Sequence, residues 1–148
     1  MPKLIYLGSP YSHPDEKVRE QRFRAVARAA GWIYTRGEVF VYTPISMTHQ
    51  IGIELSAFPT LFEWNSWAGF DEFMIAKCDE FWILVINGWD TSVGLSAEIK
   101  IATRLGMPIR YVIPEADSYR ITDKLPLESV LDDKTDDSPT NKAPFEAI

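Results

Sequence analysis

Cysteine is almost missing from this chain. Cys78 is the one cysteine in 148 residues, so no internal disulfide can form, and no cysteine–histidine spacing suits a zinc site. That usage fits a reducing compartment. Long apolar runs are missing too. None approaches the ~18 residues of a membrane span, and Leu4-Ile5-Tyr6-Leu7 is too short for the apolar core of a secretory signal, so the expectation is a cytoplasmic protein with no membrane partner. Positive charge is in deficit, 15 Lys and Arg against 21 Asp and Glu for a formal net charge of −6. That balance disfavours a nucleic-acid partner and points to small-molecule chemistry. Neither GxGxxG nor GxxxxGK[ST] occurs, so neither a dinucleotide nor a nucleoside triphosphate is implied, and nothing calls for a cofactor or a metal. No internal repeat is present.

What is present is material for a core. Hydrophobic residues make up 46% of the chain and aromatic residues 13%, which excludes a disordered or fibrous class. Continuous apolar runs at Leu4–Leu7, Val39–Tyr42, Phe81–Ile86 and Ile109–Ile113 read as strands buried on both faces. Helical patterns lie between them, one after Ser12 with Ser12 as its cap, one from Phe70, and one over Leu95–Leu105. The segment from Ile45 to Trp67 has no clean period and reads as a long binding loop with a short helix. The expected fold is α/β, doubly wound and flavodoxin- or Rossmann-like, a mostly parallel sheet of four to five strands with helices on both faces. Residues 1–131 would form a single α/β domain. Residues 115–131 would add a short strand or helix around Ile121, and 132–148 an acidic, mobile tail.

Ligands of such sheets sit at the carboxyl ends of the strands, where helix N-termini offer free N–H groups to an anion. Ser9, Ser12 and the Gly8 backbone, in the loop after the first strand, are therefore phosphate candidates, with Arg19 and Arg22 within reach. His49 is the better placed of the two histidines, as substrate contact or as ordinary surface.

Two acids stand out by helical phase. At about 100° per residue, Leu95, Ile99 and Ala102 share a face, and Glu98 lies inside it. Asp71 likewise falls among Met74, Ile75 and Cys78, either as a helix cap or as a functional acid. A carboxylate in an apolar setting must be paired, protonated or open to a cleft. Cys78 itself reads as a small core residue. Trp64, Trp67 and Trp89 either stack on a base or serve as core or subunit contacts.

The pieces Lys3-Leu4-Ile5-Tyr6-Leu7-Gly8, Asp71 eight residues before Asp79, and Ser92-Val93-Gly94-Leu95-Ser96-Ala97-Glu98 together resemble the nucleoside 2-deoxyribosyltransferase-like superfamily. That superfamily includes the transferases proper and the 2′-deoxynucleoside 5′-monophosphate N-glycosidases. The resemblance spans most of residues 3 to 113, loosely between Ile45 and Trp67. It implies that Glu98 attacks C1′ of a 2-deoxyribosyl group, that Tyr6 orients Glu98, and that Asp71 contacts or protonates the leaving base. It also implies a homodimer or larger homo-oligomer. The transferases carry an acid where this chain has Ser92. A serine there resembles the monophosphate N-glycosidases, with Ser9, Ser12, Arg22, Ser92 and the Gly94 backbone as donors to a 5′-phosphate. The expected activity is thus N-glycosidic hydrolysis of a deoxynucleoside monophosphate. The rivals are base exchange, a non-catalytic nucleotide-binding or sensing domain, and a purely structural role.

Overall fold

The computed structural model describes residues 1–55, 57 and 65–125. The elements run β1 (Lys3–Gly8), α1 (Glu16–Thr35), β2 (Val39–Tyr42), α2 (Pro44–Leu55), α3 (Asn65–Lys77), β3 (Glu80–Leu84), α4 (Val93–Arg104), β4 (Ile109–Pro114) and β5 (Tyr119–Thr122). The sheet order is β2-β1-β3-β4-β5. The first four strands pair in parallel, and β5 closes the edge antiparallel to β4. This is the expected doubly wound α/β fold. Its strand order reverses between β1 and β3, where such sheets open a crevice.

Alternation along the strands divides the core in two. Ile5, Leu7, Val41, Trp82, Leu84 and Val112 face α1 and its Val26, Ala29 and Ile33. Tyr6, Phe81, Ile83, Val85 and Ile113 face the other way, against Ile75 of α3 and Leu95 and Ala102 of α4. The second helix, α2, packs on α1, and α3 packs on α4. Each face of the sheet is therefore covered, as all-apolar parallel strands require.

Three local expectations are corrected. The first helix is capped by Asp15, whose side chain accepts from the Lys17 amide at 2.8 Å, and not by Ser12. Pro14 explains the shift, because a helix capped by Ser12 would need His13 in its first turn, and the residue before a proline avoids the helical region. Much of the expected loop after Ile45 is α2, which opens on Pro44, a residue preset for the first helical position. Its buried side is only Pro44, Ile45 and His49, too narrow a stripe to print a period on the sequence. Asp71 is no cap, since α3 begins six residues earlier. Around Ile121, the structure forms the antiparallel edge strand β5. Trp64, residues 126–131 and the 132–148 tail lie outside the described residues. No helix among the described residues is long and apolar enough to cross a membrane.

Candidate active site

Helices α3 and α4 lie on one face of the sheet, and each turns one acid toward β1. On α3, Asp71 and Ile75 are buried one turn apart, and Cys78, just past the helix end, continues the row, so the acid stands among otherwise apolar groups. On α4, Leu95 and Ala102 are buried, and Glu98 sits between them, one turn from each. Tyr6 completes the group from β1. It is fully buried, stacked on Phe81 with ring centroids 5.1 Å apart. Its hydroxyl donates to Glu98 Oε1 at 3.0 Å.

The electrostatics follow from that packing. Burial raises the Glu98 carboxyl to about 8, Asp71's charge adds to the rise, and the Tyr6 hydrogen bond opposes it. Burial raises Asp71 to about 6. Tyr6 is driven far above the ordinary phenol range by burial, then by the charges of Glu98 and Asp71, so it remains a proton donor at any working pH. Over the interval between, the pair holds one proton; the higher Glu98 value rests it mainly on Glu98, and the form that carries it on Asp71 is the minor one.

A second tyrosine belongs here that the sequence reading passed over. Tyr42 pairs with Tyr6 across β1 and β2, and the two rings stand 5.6 Å apart. Burial raises its hydroxyl to about 12, assisted by Asp71, Cys78 and Glu98. Its Oη and Asp71 Oδ1 are both buried without a hydrogen-bond partner. Strand parity carried the signal: register partners on adjacent strands share a face, so a tyrosine ending β2 lies beside one on β1.

At the start of α4, one turn before Glu98, lies a cavity of about 440 Å³ lined by Ser12, His13, Arg22, Gly88, Thr91, Ser92, Val93 and Gly94. Ser92 is the α4 cap and accepts from the Leu95 amide at 3.2 Å. The amides of Val93 and Gly94 belong to the first turn, where the helix supplies no carbonyl partner and its dipole favours an anion. Arg22 reaches across from α1, donating to the Ser12 carbonyl at 3.0 Å. Gly88, at φ +89°, makes room for it: a Cβ there would stand 2.5 Å from Arg22 Nη2. His13 accepts the Asp15 amide on Nδ1, which leaves the neutral ring's proton on Nε2.

Of the residues singled out in sequence, Tyr6, Asp71 and Glu98 form one cluster, and Ser12, Arg22, Ser92 and Gly94 line the adjoining cavity. Four fall elsewhere. Gly8 is a packing position, where a Cβ would meet Leu95 and Phe81 at 2.8 Å. Ser9 is buried and does not line the cavity; its Oγ has no partner. Trp89 is core, edge-on to Tyr111 at 6.2 Å. His49 is buried on α2, stacked on Phe23 on the opposite side of the sheet, so His13 is the histidine at the cavity. Trp67 is half-buried on α3. Arg19 braces the carbonyls of His13 and Pro14. Among the described residues no group of three His, Cys, Asp or Glu is placed to hold a metal ion.

A protein family described as "Domain of unknown function (DUF1937)" matches residues 3–113. That stretch holds the acid cluster and the cavity and ends inside β4. No curated protein matches the chain.

Proposed function

The chain belongs to the DUF1937 family, and since that description assigns no reaction, we propose from the site that it is an N-glycosidase acting on 2′-deoxynucleoside 5′-monophosphates. The observation that carries the reading is the part-buried hydrogen bond from Tyr6 to Glu98, whose carboxyl feels the charge of Asp71. A carboxyl placed on an apolar helix face weakens the fold, and a nucleophile is the use that offsets this.

In the proposed reaction the 5′-phosphate sits in the cavity on the first-turn amides of α4, with Arg22, Ser12 and Ser92. The reactive form is the one in which the shared proton has passed to Asp71 and Glu98 is ionised. Glu98 then attacks C1′ as the bond from C1′ to the base nitrogen breaks. The bonding pair leaves on the nitrogen, and Asp71 protonates it. Charge at C1′ passes through an oxocarbenium-like transition state to a glycosyl ester of Glu98. Water then attacks C1′, Asp71 takes the water's proton, and the ester bond breaks to return the Glu98 carboxylate. Tyr6 holds one carboxylate oxygen throughout, so that the other is presented to the sugar. Tyr42 offers a proton-bearing hydroxyl beside Asp71. The chain acts here as a homo-oligomer of water-soluble subunits in the cytoplasm.

Base exchange is the second reading, with a free base replacing water. Ser92 weighs against it, because a neutral cap tolerates a phosphate where an acid would select a hydroxyl. Incubation with a panel of deoxynucleoside monophosphates and nucleosides, with and without a second free base, separates the readings. Free base from monophosphates, lost in Glu98→Ala, is the expected result. No base released from any substrate would overturn the enzymatic reading.

A further inference from the structure

On the other side of the sheet, three polar side chains from three elements form a line that the proposed chemistry does not use. His49 of α2 is 6% exposed. Its ring stacks on Phe23 of α1 at 4.2 Å and meets Tyr11 edge-on at 5.6 Å. Both ring nitrogens are engaged. Nε2 lies 2.8 Å from Glu20 Oε2, and Nδ1 lies 2.7 Å from the Tyr11 hydroxyl.

The proton positions follow from the partners. Burial works to raise the Glu20 carboxyl, but hydrogen bonds from Arg24 and His49 outweigh it and hold Glu20 below its ordinary value, hence ionised. A carboxylate can only accept, so Nε2 carries a proton, and in the neutral ring Nδ1 then accepts from Tyr11. Burial raises the Tyr11 phenol, which keeps it a donor. With the neutral ring the line runs from the Tyr11 hydroxyl through His49 to Glu20.

Tyr11 sits in the loop between β1 and α1, and the next residue is Ser12. The Ser12 carbonyl accepts from Arg22 Nη1 at 3.0 Å, and Ser12, His13 and Arg22 all line the cavity. On its far side the guanidinium is confined by Gly88. A hydroxyl anchored to a buried imidazole thus fixes the loop residue that orients the arginine.

We infer that Glu20, His49 and Tyr11 are positioning residues that set the Arg22 guanidinium in the cavity at the start of α4, and so tune that cavity for a phosphate monoester or other small oxyanion. This rests on the proposed phosphate reading for the ligand, but not for the positioning itself. A merely structural line of hydrogen bonds would affect melting and leave Arg22 as it was.

Tyr11→Phe keeps the ring and its packing and removes only the hydroxyl. Two readouts are needed. The side-chain NMR signals of Arg22 report its order without any ligand, and titration with inorganic phosphate and with a deoxynucleoside monophosphate reports the cavity. In Tyr11→Phe, the Arg22 signals should broaden or exchange faster with solvent. Affinity for both phosphates should fall roughly 3- to 10-fold, the loss of about one hydrogen bond, while the unphosphorylated nucleoside binds as before. Glu20→Gln should give a smaller change of the same kind. Arg22 signals altered in a protein that binds no phosphate would support the positioning and sink the phosphate reading. A lower Tm in Tyr11→Phe with Arg22 signals and phosphate affinity unchanged would overturn the inference.

Discussion

Glu98 and Asp71 divide one proton between them from about pH 6 to about pH 8. Below that window the pair gains a second proton and loses its nucleophile, and above it the pair loses its acid. A plot of kcat/KM against pH should therefore be bell-shaped, with limbs near 6 and 8 that belong to the pair. The same burial has a stability consequence of fixed sign. In the unfolded chain Glu98 ionises near its ordinary 4.5, while the folded protein keeps the proton up to about 8, so stability falls as pH rises through that interval. Glu98→Gln removes the penalty. Its stability should exceed that of the wild type by a margin that grows from pH 5 to pH 8 and then levels at about 2 kcal/mol after discounting for the carboxyl's partial solvent access, read as a higher Tm. Ser92 allows a clean test of the phosphate cavity, because aspartate caps a helix as well as serine does. Ser92→Asp should retain the wild-type Tm but weaken monophosphate binding about tenfold or more relative to nucleosides. Equal losses for both would remove the phosphate from α4. Glu98 could be read from the sequence because it violates the phase of its own helix. Tyr42 could not, because a tyrosine in an apolar strand violates nothing.

At the scale of elements, the join of β1 to α4 leaves no room for a side chain. A Cβ on Gly8 would stand 2.8 Å from both Leu95 Cδ1 and Phe81 Cζ. Gly8→Ala should push α4 away from β1 and cost about 1–3 kcal/mol, read as a lower Tm, while lengthening the Tyr6 to Glu98 hydrogen bond. A Gly8→Ala protein with wild-type Tm and activity would mean that the close approach of α4 to β1 is not needed. The strands were legible because burial on both faces leaves unbroken apolar runs. Helix α2 was not, because it rests on another helix through a stripe only three residues wide. The same narrowness hid His49. In sequence it is an isolated histidine in an aperiodic stretch, and its partners Tyr11 and Glu20 lie 38 and 29 residues away. Asp15 displaced Ser12 as cap for a reason the sequence did contain, the proline between them.

Across the whole molecule, the reversal of strand order between β1 and β3 is what brings the parts together. The loop after β1 and the start of α4 meet at the carboxyl ends of the strands, with the acid pair on one face and the Tyr11 line on the other. That topology was foreseeable from four apolar runs alternating with helices, since right-handed crossovers leave few alternatives. Ser12, Arg22, Ser92 and Gly94 were legible as residues of the cavity, but His13 and Gly88 were not, because their places depend on where one proline delays a helix and on which glycine makes room for an arginine. The central claim is covalent chemistry at Glu98. The direct measurement is acid-quenched mass spectrometry of protein turning over a deoxynucleoside monophosphate whose sugar carries a 2′-fluorine, which slows an oxocarbenium-like step. The account predicts a sugar phosphate ester on the peptide containing Glu98, absent in Glu98→Gln. Free base released by Glu98→Gln at the wild-type rate, with no adduct on either protein, would contradict it.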